Sequence, residues 1–206
     1  MHHTPFIAVE GPIGAGKTSL AQAISNHYRF HLLQEIVEEH PYLDKFYQDM
    51  REWSFQTEMF FLCNRFKQIE EMQRDYLALG KPVVSDYHIF KNLIFAGQTL
   101  SDKHYAKFRS IYRILTDDLP QPTVVIYLHS SLPTLLQRIK KRGRTMEEKI
   151  DPEYLVQLSA DYELAMQQLT KSNPDLPVLR INGDDCDFVE HQEDLAAIFF
   201  QKLIRF

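Results

Sequence analysis

The segment that most narrows what this chain can fold into is Gly11-Pro12-Ile13-Gly14-Ala15-Gly16-Lys17-Thr18. It fits G-x-x-x-x-G-K-[ST], follows the short apolar run Phe6-Ile7-Ala8-Val9 and opens a helical pattern over 17–28. A strand that stops at Gly11 and restarts as a helix wraps its backbone around an anion. Gly14 and Gly16 let the chain approach phosphate oxygens closely, and Ala15 adds no bulk. The N–H groups of Gly14, Ala15, Gly16, Lys17, Thr18 and Ser19 then join the helix dipole in supplying positive potential. Lys17 is expected on the β- and γ-phosphates and the Thr18 hydroxyl on Mg²⁺. The pattern arises by chance in roughly one chain of this length per hundred, and the strand–helix context lowers that further. A nucleoside triphosphate is the expected ligand.

The rest of the chain alternates in the way such a loop requires. Segments 32–37, 81–86, 123–128 and 177–181 read as further strands, the later three bounded by Pro, and helical patterns lie near 17–28, 53–79, 101–116, 131–142, 152–171 and 187–204. Near-continuous apolar strands suit a parallel sheet covered on both faces. The expected fold is therefore α/β: a P-loop kinase fold with a five-stranded parallel sheet flanked by helices, ligands at the carboxyl ends of the strands, and one domain over 1–206. No N-K-x-D for guanine and no D-x-x-G after a strand is found, which argues against a regulatory GTPase. A small kinase acting on a small acceptor fits the length.

Composition closes off other classes. With Lys plus Arg at 23 against Asp plus Glu at 28, the net charge of −5 argues against a general nucleic-acid binder. No stretch reaches the 18 or more apolar residues of a membrane span, and Met1-His2-His3-Thr4-Pro5 lacks the pattern of a secretory signal. Cys63 and Cys186 form no C-x-x-C pair and the nine histidines no ligand spacing, so neither a disulfide scaffold nor structural zinc is expected, and a reducing cytoplasm is.

Three groups of charged residues carry the candidate chemistry. Glu35 and Asp86 stand at the ends of the second and third expected strands, where both converge beside the phosphate loop. One carboxylate there can take a hydroxyl proton and another can hold Mg²⁺ or its waters. Asp86 could equally cap a helix starting at Tyr87, and Glu38 and Glu39 rival Glu35. Arg138, Arg142 and Arg144, with Lys140 and Lys141, form the one strong basic cluster. As a short arginine-rich lid over about 138–149 they would neutralise a migrating phosphoryl group; the competing readings are a solvated helix end or an RNA-touching patch. Glu58 and Arg65 lie seven residues apart, about 700° of helix, and so share one face with Leu62 between them. Gln56, about 160° from Glu58, cannot share that direction. An ordinary exposed charge pair is the bland alternative. Phe95 and Phe55 are candidates to stack on a base, though aromatic residues are plentiful enough here that core packing explains either.

The loop resembles the deoxyribonucleoside kinase family, as do Glu35-Ile36-Val37-Glu38, Pro41-Tyr42-Leu43-Asp44-Lys45-Phe46-Tyr47, Trp53-Ser54-Phe55, Ser85-Asp86 and Arg138-Ile139-Lys140-Lys141-Arg142-Gly143-Arg144 with Glu147. The match runs collinearly from about residue 5 to 165, and is most similar to the bacterial deoxyguanosine/deoxyadenosine branch. The resemblance implies Glu35 as base for a 5′-hydroxyl, Asp86 as the Mg²⁺-side acid, ATP as donor, and Tyr47 with Glu147 on the sugar 3′-hydroxyl. It implies a homodimer, with a small deoxynucleoside and a nucleoside triphosphate as partners. It places Glu58 where relatives commonly carry Gln and Arg65 where Arg is frequent. A carboxylate offers only acceptors, which suits guanine N1–H and N2–H₂, while Arg65 can donate to O6 or N7. Deoxyguanosine is thus the expected acceptor, with deoxyadenosine or broader use next. A nucleoside monophosphate kinase and a non-catalytic nucleotide-binding module are the more distant alternatives. Asn92 falls where relatives commonly have Asp in the base pocket, so its amide is expected on N7 or O6. Tyr87 stands where relatives usually have Arg, which removes a guanidinium from the neighbourhood of the base carboxylate; its hydroxyl or a lid arginine is left to compensate.

Overall fold

The computed structural model describes residues 4–36, 41–144, 147 and 150–186. Five parallel strands form its centre: β1 (Phe6–Glu10), β2 (His31–Leu33), β3 (Val83–Ser85), β4 (Val124–His129) and β5 (Val178–Asn182), in the order β2-β3-β1-β4-β5. Ile7 pairs with Val84 on one side and Val124 on the other, which puts β1 in the middle. All five residues of β1 are buried, and so are the first five of β4. Alternate side chains fill two separate layers. Ile7, Val9, Ile126 and Leu128 pack with Leu20 and Ile24 on one face, while Phe6, Val83, Val125 and Tyr127 pack beneath the helices of the other.

Among the described residues seven helices flank the sheet: α1 (Lys17–Tyr28), α2 (Leu43–Gln48), α3 (Met50–Asp75), α4 (Lys91–Thr99), α5 (Asp102–Thr116), α6 (Leu132–Arg142) and α7 (Pro152–Ser172). The Asp49 side chain accepts the Glu52 N–H at 3.1 Å to start α3, and Asp151 accepts the Glu153 N–H at 2.9 Å to start α7 behind Pro152. No helix among the described residues is long and apolar enough to cross a membrane. The chain leaves β1 toward β2 on one side of the sheet and leaves β3 toward β4 on the other, so a crevice opens at the carboxyl end of β1.

The fold class is as expected, with differences at the ends of elements. The strand expected over 32–37 spans only His31–Leu33, because the Glu35 N–H donates to the Asp86 carboxylate at 2.8 Å instead of continuing the ladder. The long helix starts earlier than expected, at its Asp49 cap, and ends at Asp75 before a 3₁₀ turn over Leu77–Leu79. Helices α2 and α4 were not expected: α2 has six residues, and α4 opens with two polar residues that are buried, Lys91 and Asn92, and carries Gly97, so neither shows an amphipathic stripe. The helix expected over 187–204 lies outside the described residues.

Gly14 sits in the left-handed region at φ +85°, where a Cβ would come within 2.8 Å of the Leu135 carbonyl oxygen and 3.0 Å of Ile139. Gly14→Ala should therefore push α6 off the phosphate loop and cost about 1–3 kcal/mol in urea unfolding; ATP-induced stabilisation should fall with it.

Candidate active site

The phosphate loop joins β1 to α1 with Gly16 as the left-handed N-cap. Lys17 Nζ donates to the carbonyls of Gly11 at 2.8 Å and Pro12 at 2.9 Å, which folds the ammonium back over the loop. Burial, and next the neighbouring charge of Lys91, lower the Lys17 ammonium to about 8. Arg138 holds the loop from α6: its guanidinium donates to the carbonyls of Ala15 at 3.3 Å and Gly183 at 2.8 Å. In this structure Arg138 thus ties the loop to residue 183, whereas charge neutralisation was its expected part.

Asp86, buried at the end of β3, connects the two halves of the site. One carboxylate oxygen accepts the Thr18 hydroxyl at 2.6 Å and the other accepts the Glu35 N–H at 2.8 Å. Burial raises its pKa and the Thr18 bond opposes that. A hydroxyl and a carboxylate this close beside a phosphate loop are hard oxygen donors, and Mg²⁺ commonly uses one or two of these with substrate phosphates and waters. The pair fits that ion.

Glu35 points into the same cleft and is held by two cations. Arg65 donates to its Oε1 from Nε at 2.8 Å and also from Nη2. Lys91 Nζ lies 2.9 Å from Oε2 and 3.2 Å from Oε1. Burial pushes the Glu35 carboxyl upward, but Arg65 and then Lys91 outweigh it and hold the group well below the usual carboxylate range. The rivals Glu38 and Glu39 lie outside the described residues.

Helix α3 presents Glu58 and Arg65 on one buried face with Leu62 between them, and Gln56 faces solvent. The bland reading of an exposed pair is thereby excluded, since Glu58 is only 2% exposed. Burial raises its carboxyl to about 7 against the pull of Arg65. Thr99 Oγ1 lies 3.1 Å from Glu58 Oε1 and 2.9 Å from the Phe95 carbonyl oxygen. Its single proton serves one acceptor at a time. Arg65 Nη1 is buried and has no hydrogen-bond partner among the described residues. Phe95 and Phe61 line the cleft, whereas half-buried Phe55 packs against the exposed His104 with 5.0 Å between rings. Asn92, fully buried, lies behind the cleft wall; neither of its amide atoms is bonded among the described residues.

On the α6 side, Arg142 and Arg144 (the latter at 3.5 Å) both donate to the buried Glu147 carboxylate. Tyr47 lies near this group; burial first, and Glu147 next, raise its phenol. The charged side chains described above, with Thr18, Tyr47, Phe61 and Phe95, border one open cleft of about 860 Å³, whereas Asn92, Thr99 and Phe55 do not; the volume is within the range of small-ligand sites. Arg138, Arg142 and Arg144, the arginines of the expected lid, are each engaged by protein acceptors.

Two buried charges were missed from the sequence. Glu10 closes β1, where its carboxylate accepts the His88 N–H, the Tyr162 hydroxyl at 3.1 Å and the Gly11 N–H at 3.3 Å. Its signal was an acid immediately before the glycine turn. The other is Lys91, a lone cation at the head of the apolar segment that becomes α4. Tyr87 does not fill the place of the absent guanidinium, since its hydroxyl donates to Gln68 at 2.9 Å, away from Glu35. Its ring instead lies 5.9 Å from the Arg65 guanidinium, with the Phe61 ring at 4.5 Å.

The model of the deoxynucleoside kinase family matches residues 7–205. The chain is 54% identical over 198 residues to the deoxyguanosine kinase of Bacillus subtilis (strain 168), covering 96% of both chains. It is 31% identical to the deoxyadenosine/deoxycytidine kinase of the same organism, over 97% of this chain and 94% of that one. A solved structure of deoxyadenosine kinase from M. mycoides with bound dCTP superposes with a TM-score of 0.80 at 26% identity, over 98% of this chain and all of that one.

Arg65→Met would leave Glu35 on Lys91 alone and Glu58 without a neighbouring guanidinium on its helix. The expected cost is roughly 3 kcal/mol in urea unfolding with an unchanged m-value, well beyond that of an exposed Arg51→Met control.

Proposed function

Because the chain belongs to the deoxynucleoside kinase family, we propose that it transfers the γ-phosphoryl group of MgATP to the 5′-hydroxyl of deoxyguanosine, giving dGMP and MgADP. The observation that carries the choice of base is Glu58: a buried, acceptor-only carboxylate on the cleft wall. Guanine offers N1–H and N2–H₂ to such a group, whereas adenine leaves it facing an acceptor. The unpartnered Arg65 Nη1 is then the donor for O6 or N7, and Phe95 stacks on the base. Tyr47 and Glu147 take the sugar 3′-hydroxyl. The 54% identity with a deoxyguanosine kinase supports the same substrate.

In this mechanism the loop N–H groups and Lys17 hold the β- and γ-phosphates, and Thr18 with Asp86 would hold Mg²⁺. The ion supplies charge neutralisation on the phosphate oxygens. Glu35, ionised across the physiological range, orients the 5′-hydroxyl and accepts its proton as the O–P bond forms. A carboxylate this acidic is a weak base. That is no obstacle, because a loose transition state draws little on the base until transfer is advanced. Arg142 and Arg144, now on Glu147, are the cations that turn to the transferred phosphoryl as the lid over 138–149 closes. The proposal includes a cytoplasmic homodimer. An exposed Cys63 thiol suits a reducing compartment, and family habit supports the dimer.

The test is kcat/KM with MgATP for deoxyguanosine, deoxyadenosine, deoxycytidine and thymidine, with dGMP as an alternative acceptor. Deoxyguanosine should lead by about a hundredfold or more, a margin in keeping with a site whose polar groups pair only with the right base. Equal use of deoxyadenosine overturns the role of Glu58, and turnover of dGMP alone overturns nucleoside phosphorylation. Glu58→Gln should narrow the gap by raising deoxyadenosine and lowering deoxyguanosine use.

The pH dependence has a definite sign. Burial puts the Glu58 carboxyl at about 7, so it is a carboxylate above that pH and a neutral acid below it. Guanine needs the carboxylate. KM for deoxyguanosine should therefore rise by up to about tenfold per pH unit below 7 and level off above it. Glu58→Gln should abolish that slope.

A further inference from the structure

Lys91 opens α4, and its side chain is 5% exposed. A buried ammonium costs several kcal/mol unless it is paired; the hydrogen bonds of this one go to a single carboxylate, and its Nζ also lies 5.5 Å from the Phe95 ring. It reaches both oxygens of Glu35, at 2.9 and 3.2 Å, opposite the Arg65 guanidinium. Arg65 alone would already neutralise Glu35. The second cation leaves the three groups with a net charge of +1 on the cleft wall, and Lys91 borders the cleft itself. The other titratable groups nearby are Lys17 on the loop, Glu10 at the end of β1, Asp86 at the end of β3 and Glu58 on α3. Lys91 therefore lies in the wall of the cleft that Glu35 shares with the phosphate loop. No other side chain of the described residues duplicates it: Tyr87 is turned to Gln68, Arg138 to backbone carbonyls, and Arg142 and Arg144 to Glu147.

We propose that Lys91 is a positioning residue for phosphoryl transfer: it clamps Glu35 against Arg65 and so holds in one orientation the carboxylate that meets the acceptor oxygen. Two clamps from different helices, α3 and α4, fix a carboxylate in both direction and rotation, where one would leave it free to swing. This inference rests on the nucleoside kinase function proposed above.

The experiment measures steady-state kinetics with MgATP and deoxyguanosine for wild type, Lys91→Met, Lys91→Arg, Glu35→Gln and the Glu35→Gln/Lys91→Met double variant. Lys91→Met should lower kcat by about a hundredfold while KM for ATP stays within about threefold. Lys91→Arg should recover at least about a tenth of wild-type kcat, since the charge is what acts. In the Glu35→Gln background the same Met substitution should cost less than about threefold, because Lys91 acts through that carboxylate. Lys91→Gln, which keeps a donor but no charge, carries the test if the Met variant does not fold. A wild-type kcat in the charge-free variant, no recovery with Arg, or an undiminished loss in the Glu35→Gln background overturns the role of Lys91. A wild type that phosphorylates no deoxynucleoside instead overturns the proposed function, and the role of Lys91 with it.

Discussion

Everything in the cleft hangs on one carboxylate at the end of β3. Asp86 accepts the Thr18 hydroxyl from the phosphate loop with one oxygen and the Glu35 N–H with the other. Those two bonds join the nucleotide side of the site to the acceptor side through a single rigid group. They also explain the local fold. The chain after Leu33 leaves the sheet because its next available donor is taken by a side chain, and that departure points Glu35 into the cleft. A strand one residue longer would turn Glu35 to the other face, since side chains alternate along a strand. Position of the acceptor-side carboxylate is therefore a property of sheet termination, and sheet termination is a property of Asp86.

The site gathers ionised groups at low exposure, and such an arrangement is rarely the most stable use of a core. Glu35, Arg65 and Lys91 could be replaced by apolar residues of similar volume with little loss of stability. What the ions supply is geometry. Each is bonded by at least one partner from a different helix or loop, so none can relax without moving the others. Glu10 behaves in the same way beneath the loop, where donors from Gly11, the segment after β3 and α7 converge on one carboxylate. The aromatic layer does the supporting work: Phe61 and Tyr87 pack close to the Arg65 guanidinium, which confines it to the plane that meets Glu35.

Much of this was legible in the sequence because the informative features are local. A glycine turn between an apolar run and a helix has one use, and apolar runs bounded by Pro mark buried parallel strands. The seven-residue spacing of Glu58 and Arg65 placed both on one face, and Gln56, about 160° away, faces solvent. The parts that were not legible depend on contacts distant in sequence. Arg65 was read against a base edge, yet two of its nitrogens go to Glu35, thirty residues earlier. Lys91 and Glu35 meet across fifty-six residues, and no periodicity reports such a meeting. Arg138 looked like a mobile cation because its cluster is basic, but backbone carbonyls of two loops absorb it. Asn92 was placed on the base by position alone; it is fully buried and does not line the cleft.

Arg65 bears on how selection and transfer are linked. Its Nε and Nη2 hold Glu35, while the buried Nη1 is left without a partner among the described residues. Under the proposed function Nη1 meets the base, so one planar group reads guanine at one edge and steadies the acceptor-side carboxylate at the other. A guanidinium cannot tilt to improve one edge without degrading the other, since its donors are fixed in a fork. A base that offers no acceptor to Nη1 then disturbs Glu35 as well as Glu58. Discrimination on this arrangement falls on kcat as well as on KM, because the wrong base misplaces the group that orients the 5′-hydroxyl. Lys91 limits that coupling. By fixing Glu35 from α4 it keeps part of the alignment independent of what Arg65 reads, and the balance between the two cations sets how strictly base identity governs transfer.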